Sequence, residues 1–549
     1  MPTAERLARI ARAIEKCDCA TEINARSAVN TPVARRTQEQ PHPFGITDAL
    51  ALRSIDAIAV SPHGNWVAYT ISDRDHQEDR RVSSLWMVST DNGASPIRMS
   101  APGLGASSPA WSPDGTLLCF LAARSIPGAI SGRSAAIEST QVWGSNMVGG
   151  DAQPLTFVKQ GIESFRWSPD GGRLLLTVRD EVEASSEADA PENRPKPWVI
   201  DRLQTKQDYT GYLHNRVGRM HLHVQDMTSG CMAQITSGNC DENGAEWSPC
   251  ATRIAFVSNR SPDPDATFSS NVYVVSATNS DRGRTLLQIT DHAGCSVRAL
   301  AWAPDGQTLA YTFSPRKPEV FWYATTHVAL AASDGSDCRL TSSAKRGADR
   351  VLTWALDRNV SQIRFAADGE SIFATIEDSG ALQLCSISLG PMRIPTGSAA
   401  GGSNNDGVAA VEIVIGGEVA VESYEVSTGS APTVVALVSS PHLPAEVFLL
   451  ESPGRCGDRE LRQLTFVNDD VLSSVTLGAV HKVAIPCADV RDYTTLGNRS
   501  MHIDRVNQTV EMFVVLPPGV ALTQDGTQQD GQRFPTILWC HGGPVAQFD

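Results

Sequence analysis

Along this chain, short runs of alternating apolar and polar residues are broken by one turn signal that keeps returning. VSPHG starts at Val60, WSPDG at Trp111 and again at Trp167, WSPCA at Trp247, WAPDG at Trp302 and FAADG at Phe365, six copies in all. A β-rich run follows each: WVAYT (66–70), LLCFLA (117–122), LLLTV (174–178), IAFVS (254–258), LAYTF (309–313) and IFATI (372–376). Proline presets φ, and Asp-Gly supplies the turn and the positive φ, so the large apolar residue ends one strand and the next run begins another.

A second element lies downstream of each turn: an alternating strand, a polar turn, and a strand ending in a Leu/Ile-Thr pair. It spans 85–100, 141–156, 221–237, 271–290, 327–343, 382–396 and 446–465, seven instances. In the fifth the pair is Leu340-Thr341, and in the sixth it is stretched to Ile394-Pro395-Thr396. Two hairpins make a four-stranded antiparallel sheet, so the pattern predicts an all-β chain, a seven-bladed β-propeller over residues 51–505. In that setting the tryptophans at 111, 167, 247 and 302 are read as packing between adjacent sheets, not as a ligand cage. His221 and His223 share one face of a strand, but no third ligand with a metal-site spacing accompanies them, and they are read as ordinary strand residues.

The interval from Trp167 to Trp247 is longer than the one before it by about two dozen residues, which marks an insertion. Its first part, EVEASSEADAPENRPKP (181–197), reads as a solvated loop. Its second part, 198–220, alternates aromatic and charged residues and is placed over one mouth of the propeller. Glu181, Glu183, Arg202 and Tyr209 are conceivable gate residues there, but a solvated insertion accounts for them better. A Gly/Ser-rich stretch at 396–407 reads as another loop. Residues 1–50 form an N-terminal extension in which 3–16 have the spacing of an amphipathic helix, with Leu7, Ile10 and Ile14 on one face.

Composition narrows the function classes. The formal charge of −15 over 549 residues, with basic side chains scattered among acidic ones, argues against a nucleic-acid partner. Neither a membrane-length apolar run nor a hydrophobic signal core is visible, which points to the cytoplasm and away from membranes. The 12 cysteines have neither zinc-site spacing nor the density of a disulfide framework, and they are expected reduced; Cys17-Asp-Cys19 alone makes a poor metal site. Neither a metal nor another cofactor is expected.

After the seventh hairpin the texture changes to VEMFVVLPPG (510–519), a polar stretch (527–533) and FPTILWCHGGP (534–544). An apolar strand, Thr536 to Cys540, expected to be buried, runs into His541-Gly542-Gly543-Pro544. This matches the strand-to-loop element of α/β-hydrolases, whose glycines let backbone N–H groups approach a developing oxyanion. Residues 506–549 are therefore expected to hold the first strands of an α/β-hydrolase domain.

A propeller followed by strand, LPPG, loop, Phe-Pro-x-Ile-Leu and HGGP resembles the prolyl oligopeptidase family of serine peptidases. PWVIDRLQTKQDYTGYLHNR (197–216) is similar to an insertion of its acylaminoacyl-peptidase and dipeptidyl-peptidase branch. The resemblance implies peptide substrates, N-acylated ones among them, a propeller that gates access, and an oxyanion loop at Gly542 and Gly543, with His541 in the loop and not the catalytic base. The family's Ser, Asp and His follow this loop in chain order, and no Gly-x-Ser-x-Gly elbow occurs in the sequence: Ser398 and Ser403 lack its flanking pattern, and His502 has no elbow to serve. The expectation is a chain cut within the catalytic domain, lacking the triad and inactive alone. A non-catalytic propeller scaffold binding peptides or proteins is the other reading. Acylaminoacyl versus dipeptidyl specificity and oligomeric state are left open by the sequence.

Overall fold

Each turn signal folds as its residues dictate. In the computed structural model the serine after the apolar residue accepts the N–H five residues on: Trp66 N to Ser61 Oγ at 3.0 Å, Leu117 N to Ser112 Oγ at 3.0 Å, Arg173 N to Ser168 Oγ at 2.9 Å and Arg253 N to Ser248 Oγ at 3.0 Å. The fifth residue is left-handed in every copy, φ 71° at Gly115 and 72° at Gly171, and at 247–251 the position falls on Ala251 with φ 58°. An L side chain pays for that conformation where glycine does not.

The structure describes residues 41–93, 95–124, 139–181, 218–267, 269–292, 294–315, 324–336, 351–390, 409–429, 432–451, 460–486, 509–521 and 533–539, and the backbone of 206–207 and 211–212. The chain divides into Met1–His42 and Pro43–Asp549, and the fold below is that of the second unit. The helix expected at 3–16 and the loop at 396–407 lie outside the described residues, as does most of the 181–217 insertion; within it Lys206–Gln207 pairs with Gly211–Tyr212.

The pattern becomes a succession of antiparallel sheets. The first contains Ser54–Val60, Trp66–Asp75, Arg80–Ser89 and Ile97–Arg98; the second runs from Ser107–Trp111 to Gln153–Pro154. The third joins Ser164–Trp167, Arg173–Arg179, Met220–Asp226 and Met232–Gln234, and the fourth runs from Glu242–Trp247 to Leu287–Gln288. The fifth has Cys295–Trp302, Thr308–Pro315 and His327–Ala332, with Val351 bridged to Ala329. An eight-stranded sheet follows, two four-stranded halves touching at the single pair Leu382 and Ala420.

In the fifth sheet the described outer edge is Leu352-Thr353, with Leu352 N bonded to Val328 O at 2.8 Å; the expected pair Leu340-Thr341 lies outside the described residues. In the sixth unit Val411–Ile415 pairs beside Ala381–Ser388, its VEIVI run being β-branched and alternating; the end of the expected stretch, up to Thr396, lies outside the described residues. A seventh turn also emerges, lengthened beyond recognition in sequence: Ser427 Oγ accepts Thr433 N at 2.8 Å as Ser61 does Trp66.

The Leu/Ile-Thr pair has a structural cause. Its hydroxyl accepts the N–H near the start of the sheet's third strand: Val142 to Thr156, Leu222 to Thr236, Val272 to Thr290 and Val328 to Thr353, each 2.9 Å, and Val447 to Thr465 at 2.8 Å. The residue before that N–H is polar and closes the same corner, as Gln141 does on Thr156 and Val158, and Glu446 on Thr465 and Val467. Buried backbone ends are thus satisfied where the outer strand stops.

Cores lie between consecutive sheets, not within one. Leu85 and Trp111 share a cluster across the first and second sheets, Leu175 and Phe256 across the third and fourth, and Val67 and Leu437 across the last half-sheet and the first. The succession therefore closes on itself in a propeller arrangement. Trp111 Nε1 donates to Ala59 O (3.1 Å) and Trp302 Nε1 to Glu246 O (3.2 Å), each reaching the preceding sheet, so these tryptophans do pack between sheets. Arg173 and Arg253 stack on Trp247 and Trp302 of the following sheet, 5.0 and 5.1 Å from the ring centroids.

Candidate functional site

The segment after the last sheet begins with Val480–Pro486, which pairs along its length with Thr509–Val515 as a separate two-stranded ladder. Lys482 holds this ladder to the sixth unit: its Nζ donates to Ser379 O at 2.6 Å and lies 3.1 Å from Glu511 Oε1. His442 Nε2 sits 2.9 Å from Gly478 O and adds a tie from the last half-sheet.

Between ladder and sheets opens a cleft of about 1780 Å³. It is lined from the sheets by Arg358, Asp378, Glu377 and Glu418, from the ladder by Lys482 and Glu511, and by residues 534–539. Arg358 Nε is 2.7 Å from Asp378 Oδ1, and Asn359 Nδ2 donates to Glu377 Oε2 at 2.9 Å. Burial works against the charged form of Asp378, but the Arg358 guanidinium and the Ser379 hydroxyl outweigh it and hold the carboxyl below the usual range. None of these residues stands in a motif; each flanks a strand end, and only the docking of the 480–515 ladder brings them together.

Residues 533–539 form no ladder, and Ile537, Leu538 and Trp539 are 90%, 74% and 79% exposed. The expected buried strand at Thr536 to Cys540 is corrected accordingly: a strand apolar on both faces is buried only by neighbours on both sides, and no described residue pairs with it. His541, Gly542 and Gly543 lie outside the described residues, as do Glu183, Arg202, Tyr209, Ser398, Ser403 and His502. Glu181 pairs with Lys159.

At the root of the 181–217 insertion sits a polar cluster that sequence reasoning passed over. His221 is fully buried, with Nδ1 2.6 Å from Glu242 Oε2 and Nε2 3.1 Å from Gly238 O and 3.2 Å from Asp180 Oδ2. Both ring nitrogens face acceptors, which calls for the doubly protonated imidazolium. Burial opposes that charge, but Glu242 and Asp180 overcome it and raise the His221 pKa. Glu242, itself fully buried, also accepts from Thr236 Oγ1 at 3.1 Å and from Arg260. His221 is thus an ion-pair residue and not an ordinary strand histidine, and its signal was Glu242 at the head of the next sheet. Among the described residues no group of three or more His, Cys, Asp or Glu is arranged so that it could hold a metal ion. Of the described cysteines, Cys119, Cys231, Cys240, Cys250 and Cys385 are free thiols. No described helix is long and apolar enough to cross a membrane.

No protein-family model matches the chain. By sequence it is similar to the uncharacterized peptidase YuxL of Bacillus subtilis (strain 168), 28% identical over 230 residues, 42% of this chain and 33% of that one. By fold it is similar to the acylaminoacyl peptidase of Pyrococcus horikoshii, with a TM-score of 0.55 at 15% identity, covering 80% of this chain and 56% of that one. It is likewise similar to an acylaminoacyl peptidase in complex with Z-Gly-Gly-Phe-chloromethyl ketone, with a TM-score of 0.53 at 14% identity and the same coverages. The chain thus spans 33% of its sequence relative and 56% of these two structures. These likenesses show a fold shared with acylaminoacyl peptidases and a sequence similarity to a peptidase over part of the chain.

Proposed function

We propose that this chain is the propeller portion, with the opening strands of the hydrolase domain, of a serine peptidase of the acylaminoacyl-peptidase type. On this reading the propeller has seven blades within residues 51–505 and screens peptides, N-acylated ones among them. The extension 1–50 precedes it, and the hydrolase begins near 506. The pairing of Val480–Pro486 with Thr509–Val515 ties the end of the propeller span to the first strand of the hydrolase segment.

The observation that carries the proposal is the order of elements at the end of the repeat: ladder, LPPG, then an apolar run leading into His541-Gly542-Gly543. Backbone N–H groups around Gly542 and Gly543 would face the oxyanion of a tetrahedral intermediate, a role that needs no side chain and tolerates none. The nucleophile and base are not supplied by any elbow in these 549 residues. The cleft beside the ladder is where a peptide would pass from propeller to catalytic loop.

Incubating the purified chain with an acylaminoacyl reporter and a fluorophosphonate probe tests this. No turnover and no labelling are expected, together with binding of N-acylated peptides at the cleft that weakens in Arg358→Ala. Turnover or probe labelling by the chain alone would contradict the assignment of roles. Peptide binding unaffected by Arg358→Ala, at a face remote from the cleft, would favour a scaffold instead.

A further inference from the structure

Large aromatic rings recur at one place on the rim of the sheets. Directly after the buried threonine that ends an outer strand stand Phe157, Trp354 and Phe466, each more than half exposed. Trp354 differs from the other two in what surrounds it. Its ring rests on the buried imidazole of His327, centroids 5.0 Å apart, and His327 Nε2 lies 3.0 Å from the hydroxyl of Thr325, which lines the cleft. A turn closed by Leu356 N on Thr353 O at 3.0 Å then leads to Asp357 and Arg358, which line the cleft as well. Three peptide links separate Trp354 from Asp357, at most about 11 Å of chain, so the indole stands at the edge of the cleft.

In four places a tryptophan face is covered by an arginine of the chain itself: Arg98 over Trp86, Arg124 over Trp143, Arg173 over Trp247 and Arg253 over Trp302. Among the described residues no guanidinium covers Trp354, and 56% of it is open. The carboxylates nearby lack the same partner. Arg358 is taken by Asp378 and Lys482 by Glu511. Asp357, Glu377 and Glu418 line the cleft with no cation against them among the described residues, Glu377 accepting only from the neutral amide of Asn359. Burial pushes the His327 pKa down, so the imidazole beneath Trp354 is neutral and does not repel a cation.

We infer that Trp354 is a specificity-determining residue that takes the guanidinium or ammonium of a basic side chain on a peptide lying in the cleft, with Asp357, Glu377 and Glu418 supplying the negative field. The inference rests on the proposed peptide-binding role of the cleft and adds the class of peptide. The face of an indole attracts a cation through its quadrupole, and a planar guanidinium also stacks on it. Carboxylates without a partner add an attraction that salt screens. A neutral or acidic side chain gains neither.

Fluorescence anisotropy of labelled N-acetyl peptides on the purified chain tests this, with a set identical except at one residue: arginine, citrulline or glutamate. Citrulline keeps the shape of arginine and loses its charge. The arginine peptide is expected to bind about tenfold tighter than the citrulline peptide at low salt, with the glutamate peptide weakest. Trp354→Ala should cut that ratio to about threefold or less, and Trp354→Phe should restore part of it. Asp357→Asn combined with Glu418→Gln should lower the ratio and remove most of its salt dependence. Glu370→Gln is the control for the chain's general negative charge: Glu370 is exposed and precedes Ser371–Asp378, whose far end reaches the cleft, so the ratio should not move. Equal binding of the arginine and citrulline peptides, or a ratio untouched by both the Trp354 and the carboxylate variants, overturns the inference and leaves the cleft a peptide site without charge preference. Binding of no peptide at all to the parent chain removes the underlying reading, and this one with it. If Trp354→Ala unfolds, the substitutions at Asp357 and Glu418, both exposed, decide.

Discussion

The sheets between residues 54 and 467 and the segment from 475 to 539 are built from similarly apolar sequence, yet they end in opposite states. In the first, each sheet buries its faces against the next, so Val67, Leu118, Leu174, Ile254, Leu309 and Ile372 are all fully inaccessible. In the second, Ile485, Val510, Phe513, Val515 and Ile537 to Trp539 are exposed. A repeat carries its own partner, because each unit is cover for its neighbour, and the last covers the first. A strand pair outside the repeat has no such guarantee.

The largest effect expected within the sheets comes from Glu242. Its carboxylate serves His221, Arg260 and Thr236 in a buried corner, so Glu242→Ala strands two cations and should cost about 3–5 kcal/mol in urea unfolding. A loss under about 1 kcal/mol would mean that the corner is open to water, contrary to its burial.

His221 refines this through pH. Its pKa is raised in the fold, so its contribution is fully present below the unfolded value near 6.5 and fades as pH rises through the folded value. The stability gap between the parent and His221→Gln should therefore be wider at pH 6 than at pH 8. A gap that widens with pH would reverse the assignment of the imidazolium.

Ala251→Gly should stabilise by about 1 kcal/mol, since Ala251 holds φ 58° where the sister turns have glycine. A rise in the urea midpoint is the readout, and no rise would mean that the turn relaxes around alanine at no cost.

The smallest change in stability, and the clearest contrast, is expected beyond the sheets. Replacing Ile537, Leu538 and Trp539 together by Ser should leave the sheets' unfolding midpoint within about 0.5 kcal/mol while lowering aggregation measured by light scattering. A large loss of stability would show that these residues support the sheets after all.

Much of the propeller was legible because its signals are local. Ser61-Pro62-His63-Gly64 and its sisters specify a turn by chain stereochemistry alone, and the period of two in WVAYT or LAYTF marks strands whichever sheet receives them. The candidate site was far less legible. HGGP is readable as a motif, but Arg358, Asp378, Lys482 and Glu511 belong to none and meet only because the ladder docks on the sixth unit.

By itself, then, the sequence determined where most of the inner strands start and stop and which residue types occupy the six recognisable turns, since these follow from φ preferences and side-chain alternation within a few residues. Tertiary structure alone decided that Leu352-Thr353 closes the fifth sheet, why His221 carries a charge, and how Arg166 meets Glu246 and Arg364 meets Glu425. Those outcomes depend on distances between residues tens to hundreds of positions apart, which only closure of the ring sets.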